Sequence, residues 1–106
     1  MPPTLQPILS QLKHALGTLY GERLHSLTLF GSQARGDSQP ESDIDVLVVL
    51  RAPVNPNEEI TRTGKIVADL SLDHDVVISC LFMDENQYQT RNSALLRNVR
   101  QEGVLL

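Results

Sequence analysis

The stretch Ile44-Asp45-Val46-Leu47-Val48-Val49-Leu50 constrains the fold more than any other part of the chain. It is nearly all apolar and rich in β-branched residues, the pattern of a strand covered on both faces. Its longest unbroken apolar run, Val46 to Leu50, is far too short to cross a bilayer. A strand of this kind needs neighbouring strands beside it and amphipathic layers above and below it.

The flanking sequence supplies them. Leu5, Ile8, Leu9, Leu12, Leu16 and Leu19 recur at helical spacing and predict an opening helix that ends at Gly21. Pro7 is tolerated there because it falls in the first turn. Leu24 to Phe30 predicts a strand, and Gly31 to Pro40 is rich in turn formers, with a short helix at Ala34 and Arg35. Arg51 to Asn57 holds two prolines and reads as a loop. A second long helix is predicted over Glu58 to Leu72, with Ile60, Gly64, Val67 and Ala68 facing inward and Glu58, Glu59, Arg62 and Lys65 in water. Asp75 to Phe82 predicts a third strand. Asp84 followed by Gln87 forms a capping-box pattern, and Ser93 caps a further helix from Ala94 to Gln101 that closes at Gly103. With no repeat, low-complexity tract or linker, residues 1–106 read as a single α/β (α+β) domain.

Composition narrows the function classes. Hydrophobic residues at 41% and charged residues at 21% are ordinary for a globular chain. The lone cysteine, Cys80, rules out an intramolecular disulfide and a cysteine zinc cluster, and suits a reducing cytoplasm. The N-terminus MPPTLQPILS lacks the basic-then-apolar order of a signal peptide, so a cytoplasmic location with no membrane association is expected. A net charge of −4, aromatics at 4% and no Trp argue against direct nucleic-acid binding. A small-molecule or protein acceptor is favoured over a long polynucleotide.

The chemistry concentrates in Gly31-Ser32, ten residues, then Asp43-Ile44-Asp45. Gly31 permits a tight turn after a strand and a close approach of ligand to backbone. Ser32 offers a hydroxyl and a backbone N–H, and a helix starting there would favour a phosphate. Arg35 either contacts phosphate or ties the loop to a carboxylate. Asp43 and Asp45, two apart at a strand start, point to one face roughly 7 Å apart. As hard oxygen ligands beside a phosphate site they suit Mg²⁺. Asp75, ahead of Val76-Val77-Ile78, is the expected third carboxylate, as ligand or general base, with Asp73 in reserve. The implied reaction is attack of an acceptor hydroxyl on the α-phosphate of a nucleoside triphosphate, with loss of pyrophosphate.

These residues resemble the signature of the DNA polymerase β-type nucleotidyltransferases. GSQARGDSQPESDIDVLVVL and the ending ALLRNVRQEGVLL are similar to its minimal, MNT-type branch. The resemblance implies a small mixed sheet packed with helices, triphosphate held by Gly31 and Ser32, and metal held by Asp43 and Asp45. It also implies an antitoxin beside a HEPN-domain ribonuclease toxin, which some MNT proteins modify by transferring AMP from ATP. Two alternatives stand beside this one. The chain is a nucleotide-binding module that neutralises its partner by occlusion, or a transferase acting on a small molecule such as an antibiotic.

The remaining polar residues carry blander expectations. Asp37 and Glu41 read as solvated loop charges, and Ser42 as a loop support. His14, His25 and His74 read as surface histidines, and Cys80 as a small core residue. Tyr88 reads as a packing residue, with nucleotide stacking the alternative.

Overall fold

The computed structural model describes residues 5–36 and 43–106. The apolar run forms β2, Ile44–Leu50, second in a four-stranded sheet of order β3-β2-β1-β4. β1 is Leu24–Phe30, β3 is Ile78–Asp84 and β4 is Val104–Leu105. β2 pairs antiparallel with β1 and parallel with β3, and β4 pairs antiparallel with β1, so the sheet is mixed. Every residue of β2 except Asp45 is buried. Strand alternation sends Ile44, Val46, Val48 and Leu50 into one core cluster and Leu47 and Val49 into another on the opposite face.

Two long helices contribute to the larger cluster. α1, Leu5–Tyr20, buries Leu5, Ile8, Leu9, Leu12, Leu16 and Tyr20. Leu19, expected on that face, is 41% exposed, and Tyr20 takes its place. α3, Pro56–His74, starts under an Asn55 cap whose side chain accepts from the Asn57 N–H, with proline in its first turn. Its inner face differs from the expected one by about one residue, roughly 100° of helix rotation. Glu59, Thr63 and Leu70 are buried, and Ile66 and Val67 pack against the core, while Ile60 is exposed. The polar groups buried on that face are hydrogen-bonded. Thr63 Oγ1 donates to the Glu59 carbonyl at 2.8 Å, and the Glu59 side chain has its own partners.

The second face is covered by α4, Glu85–Thr90, and α5, Ala94–Glu102. The capping box expected at Asp84 and Gln87 is complete: Gln87 N–H donates to Asp84 Oδ1 at 2.7 Å, and Asp84 N–H donates to Gln87 Oε1 at 3.2 Å. Ser93 caps α5 by accepting from the Leu96 N–H at 3.2 Å. After α5 the chain adds the unexpected strand β4. A Cβ at Gly103 would sit 2.7 Å from Thr28 Cγ2, so only glycine lets the end of α5 lie this close to β1. Among the described residues no helix is long and apolar enough to cross a membrane.

Candidate active site

β1 and β2 are antiparallel neighbours, so the end of β1 lies beside the start of β2, with Phe30 opposite Asp45. The chain then turns at Gly31, with φ 76°, into the short helix α2, Ser32–Arg35, and leaves it at Gly36, with φ 81°. The Gly31 carbonyl accepts from the N–H groups of Ala34 and Arg35, each at 3.1 Å, which fixes the turn. A Cβ at Gly31 would stand 2.6 Å from Asp45 Oδ2. Two independent constraints, left-handed backbone and contact with a carboxylate, therefore select glycine here. The turn that sequence reasoning assigned to phosphate thus lies directly against the carboxylate that it assigned to metal.

Asp43 immediately precedes β2 and is exposed; Asp45 is half-buried. Strand alternation places both on the sheet face that carries Leu47 and Val49. Burial pushes the Asp45 carboxyl above the usual aspartate range, and the negative charge of Asp43 raises it further. Among the described residues neither aspartate has an ion-pair partner; Ser79 Oγ lies 3.5 Å from Asp43 Oδ2, a long contact. One exposed and one half-buried carboxylate, repelling each other at the end of a rigid strand, are a donor set suited to a hard divalent cation. Because Gly31 has no Cβ, the Asp45 carboxylate can stand directly against the turn backbone.

The third carboxylate departs from expectation. α3 runs on to His74, and Asp75 is its C-cap, in the left-handed region at φ 52°, so β3 begins at Ile78 rather than at Asp75. Asp73, the reserve choice, is exposed in the last turn of α3. Among the described residues no three His, Cys, Asp or Glu side chains gather as a metal-holding group. The residue in register with Asp45 on the neighbouring strand is Ser79. Sequence reasoning missed it because the strand start was placed three residues early.

The other singled-out residues fall as follows. Arg35 pairs with Glu102 at 3.5 Å, joining α2 to the end of α5. His74 meets Gln11 of α1 at 3.3 Å and is not part of the acid pair. His25 lies 3.4 Å from Glu85, a partner that the sequence reading had not assigned to it. Cys80 packs against the core, and burial pushes its thiol up to about 11. Tyr88 packs on the second core cluster with the Arg100 guanidinium 5.5 Å over its ring. Asp37, Glu41 and Ser42 lie outside the described residues.

Comparison with known proteins adds the lineage. Residues 9–104 match the nucleotidyltransferase domain family. Two proteins of Methanocaldococcus jannaschii, both provisionally named protein adenylyltransferases, are similar in sequence. One is 36% identical over 72 residues, covering 68% of this chain and 72% of the relative. The other is 32% identical over 99 residues, covering 92% of this chain and 93% of the relative. Among solved structures, a toxin–antitoxin complex with AMP-PNP contains a chain of the same fold, with a TM-score of 0.63 at 18% identity over 91% of this chain and 69% of that one. A Sulfolobus solfataricus protein provisionally named a nucleotidyltransferase gives 0.60 at 20% identity over 99% of this chain and 86% of that one. A complex of a tri-AMPylated Shewanella oneidensis HEPN toxin with its MNT antitoxin gives 0.55 at 16% identity over 96% and 67%. The chain belongs to the nucleotidyltransferase domain family, and its fold is that of the minimal, MNT-type members.

Proposed function

We propose that this chain transfers AMP from ATP to a hydroxyl of a protein partner, and that the partner is a HEPN-domain toxin which the transfer neutralises. The observation that carries this reading is the contact between the Gly31 turn and the Asp45 carboxylate, with Asp43 on the same face. Gly31 itself puts no side chain between a triphosphate and the turn backbone, and the Asp45 carboxylate stands directly beside it. The names of the relatives support the acceptor class: two are called protein adenylyltransferases, and one structure holds a toxin carrying AMP groups.

In this reading Asp43 and Asp45 would hold Mg²⁺ beside the triphosphate. When bound, the ion neutralises charge on the triphosphate and favours an ionised acceptor hydroxyl. Gly31 and Ser32 position the triphosphate, and Arg35 holds the loop to α5 through Glu102. The acceptor oxygen forms a bond to the α-phosphorus as the bond to the bridging oxygen breaks and pyrophosphate leaves. The acceptor's proton goes to solvent or to a phosphate oxygen. Burial of Asp45 strengthens its hold on a cation by lowering the competition from water.

A second reading keeps the nucleotide site but neutralises the partner by occlusion. It draws on the gathering of only two carboxylates among the described residues. The test is transfer from ATP labelled at the α- or the γ-phosphate to the HEPN partner. Transfer supports the first reading if α-label alone reaches the partner and is lost in Asp43→Asn. A tight complex that never acquires α-label contradicts it and leaves occlusion.

A further inference from the structure

We infer that Ser79 stands at the third ligand position of the acid site and limits it to one divalent ion per bound nucleotide. This rests on the nucleotide-site reading above. β2 and β3 run parallel with Asp45 opposite Ser79, so the two side chains leave the sheet on the same face. Adjacent strands lie about 4.8 Å apart, within the span of carboxylates that share metal ions. A carboxylate at this register position would complete a cluster with Asp43 and Asp45. This chain carries a neutral hydroxyl there instead.

Several observations point the same way. Ser79 is exposed, so its hydroxyl is not buried as core filling. Ser79 Oγ lies 3.5 Å from Asp43 Oδ2, which places the hydroxyl beside the acid pair. Asp75 and Asp73, the nearby acids in sequence, belong to the cap and last turn of α3 rather than to the strand. Two carboxylates supply the charge to hold one divalent ion shared with a triphosphate. A second ion needs further anionic ligands, and the described residues gather none. Ser79 thus occupies the third position without adding charge.

The experiment counts bound Mn²⁺ by electron paramagnetic resonance, with chain and α,β-methylene-ATP at equal concentration, so that no turnover is involved. Wild type is expected to bind one ion per complex and Ser79→Asp two. Ser79→Ala is expected to keep one, because the serine adds no charge to the site. Two ions in wild type overturn the inference, as does a single ion in Ser79→Asp or the loss of the ion in Ser79→Ala. Absence of any nucleotide-dependent Mn²⁺ binding in wild type overturns the nucleotide site itself, and this inference with it. Thermal melting of each variant identifies any that fails to fold. The exposed position makes that unexpected, and Ser79→Glu then replaces Ser79→Asp.

Discussion

The molecule treats its carboxylates in two opposite ways at the two ends of β2. At the far end, Glu59 of α3 is 2% exposed yet fully provided for. Tyr20 donates its hydroxyl to Glu59 Oε1 at 2.7 Å, and Arg62 Nε donates to the same oxygen at 2.9 Å. Burial pushes the Glu59 carboxyl up, but those hydrogen bonds and the charges of Arg62 and Arg23 outweigh it and hold it below the usual range. At the near end, Asp45 is pushed up by burial and by Asp43, with no compensating cation among the described residues. One acid is a structural brace and the other is held ready for a ligand. Perturbed acids occur in both roles, and it is the sign of the perturbation and the partner list that separate them.

The comparison breaks if the two acids respond alike to removal. Asp43→Asn should lower AMP transfer by about 100-fold or more, the scale for losing one electrostatic contact to a transition state. The initial rate of label transfer measures this, and near-normal rates would remove Asp43 from the site. Glu59→Ala should cost about 2 kcal/mol, because the buried Tyr20 hydroxyl loses its acceptor. Denaturant unfolding measures that cost, while transfer well below the melting point should be unchanged. Gly31→Ala should cost about 1–2 kcal/mol from the left-handed backbone alone. It should also impair transfer, since the new methyl group displaces the Asp45 carboxylate.

Acidification sharpens the contrast, with opposite signs. Glu59, held low, contributes stability that is present above the usual glutamate range and is lost as pH falls through its lower folded value. Asp45, held high, binds its proton more tightly in the folded than in the unfolded chain, so acidification into its range adds stability to the ligand-free protein. Metal and nucleotide require the ionised form. Their affinity should therefore begin to fall, as pH is lowered, above the pH at which an ordinary aspartate titrates. Nucleotide-binding titrations across pH, with and without Asp45→Asn, check this.

The sequence revealed the site's frame more readily than its surroundings. Ile44 to Leu50 and the Gly31 turn were legible because each is a local pattern: consecutive apolar residues for a strand with two covered faces, and turn formers straight after a strand. The caps at Asp84 and Ser93 were legible for the same reason, since donor and acceptor lie three residues apart. The brace at Glu59 was not, because its phenol partner is 39 residues away on another helix. Helical periodicity gave α3 but misplaced its inner face, since a buried glutamate and threonine count as polar in any pattern. β4 is too short to show a pattern, and its partner β1 defines it. Ser79 was hidden by the end of α3, which continues through residues with strand-like neighbours until Asp75 turns the chain.

The most direct test of the central claim, that the acid pair is kept charged and unpaired for a ligand, is a melting comparison of wild type and Asp45→Asn with and without Mg-ATP. Without ligand, the variant should melt about 2–4 °C higher, because a half-buried charge that repels Asp43 is gone. With saturating Mg-ATP, wild type should gain stability through linkage and the variant should gain little. A variant that melts lower without ligand, or that gains as much from Mg-ATP as wild type, would contradict the account.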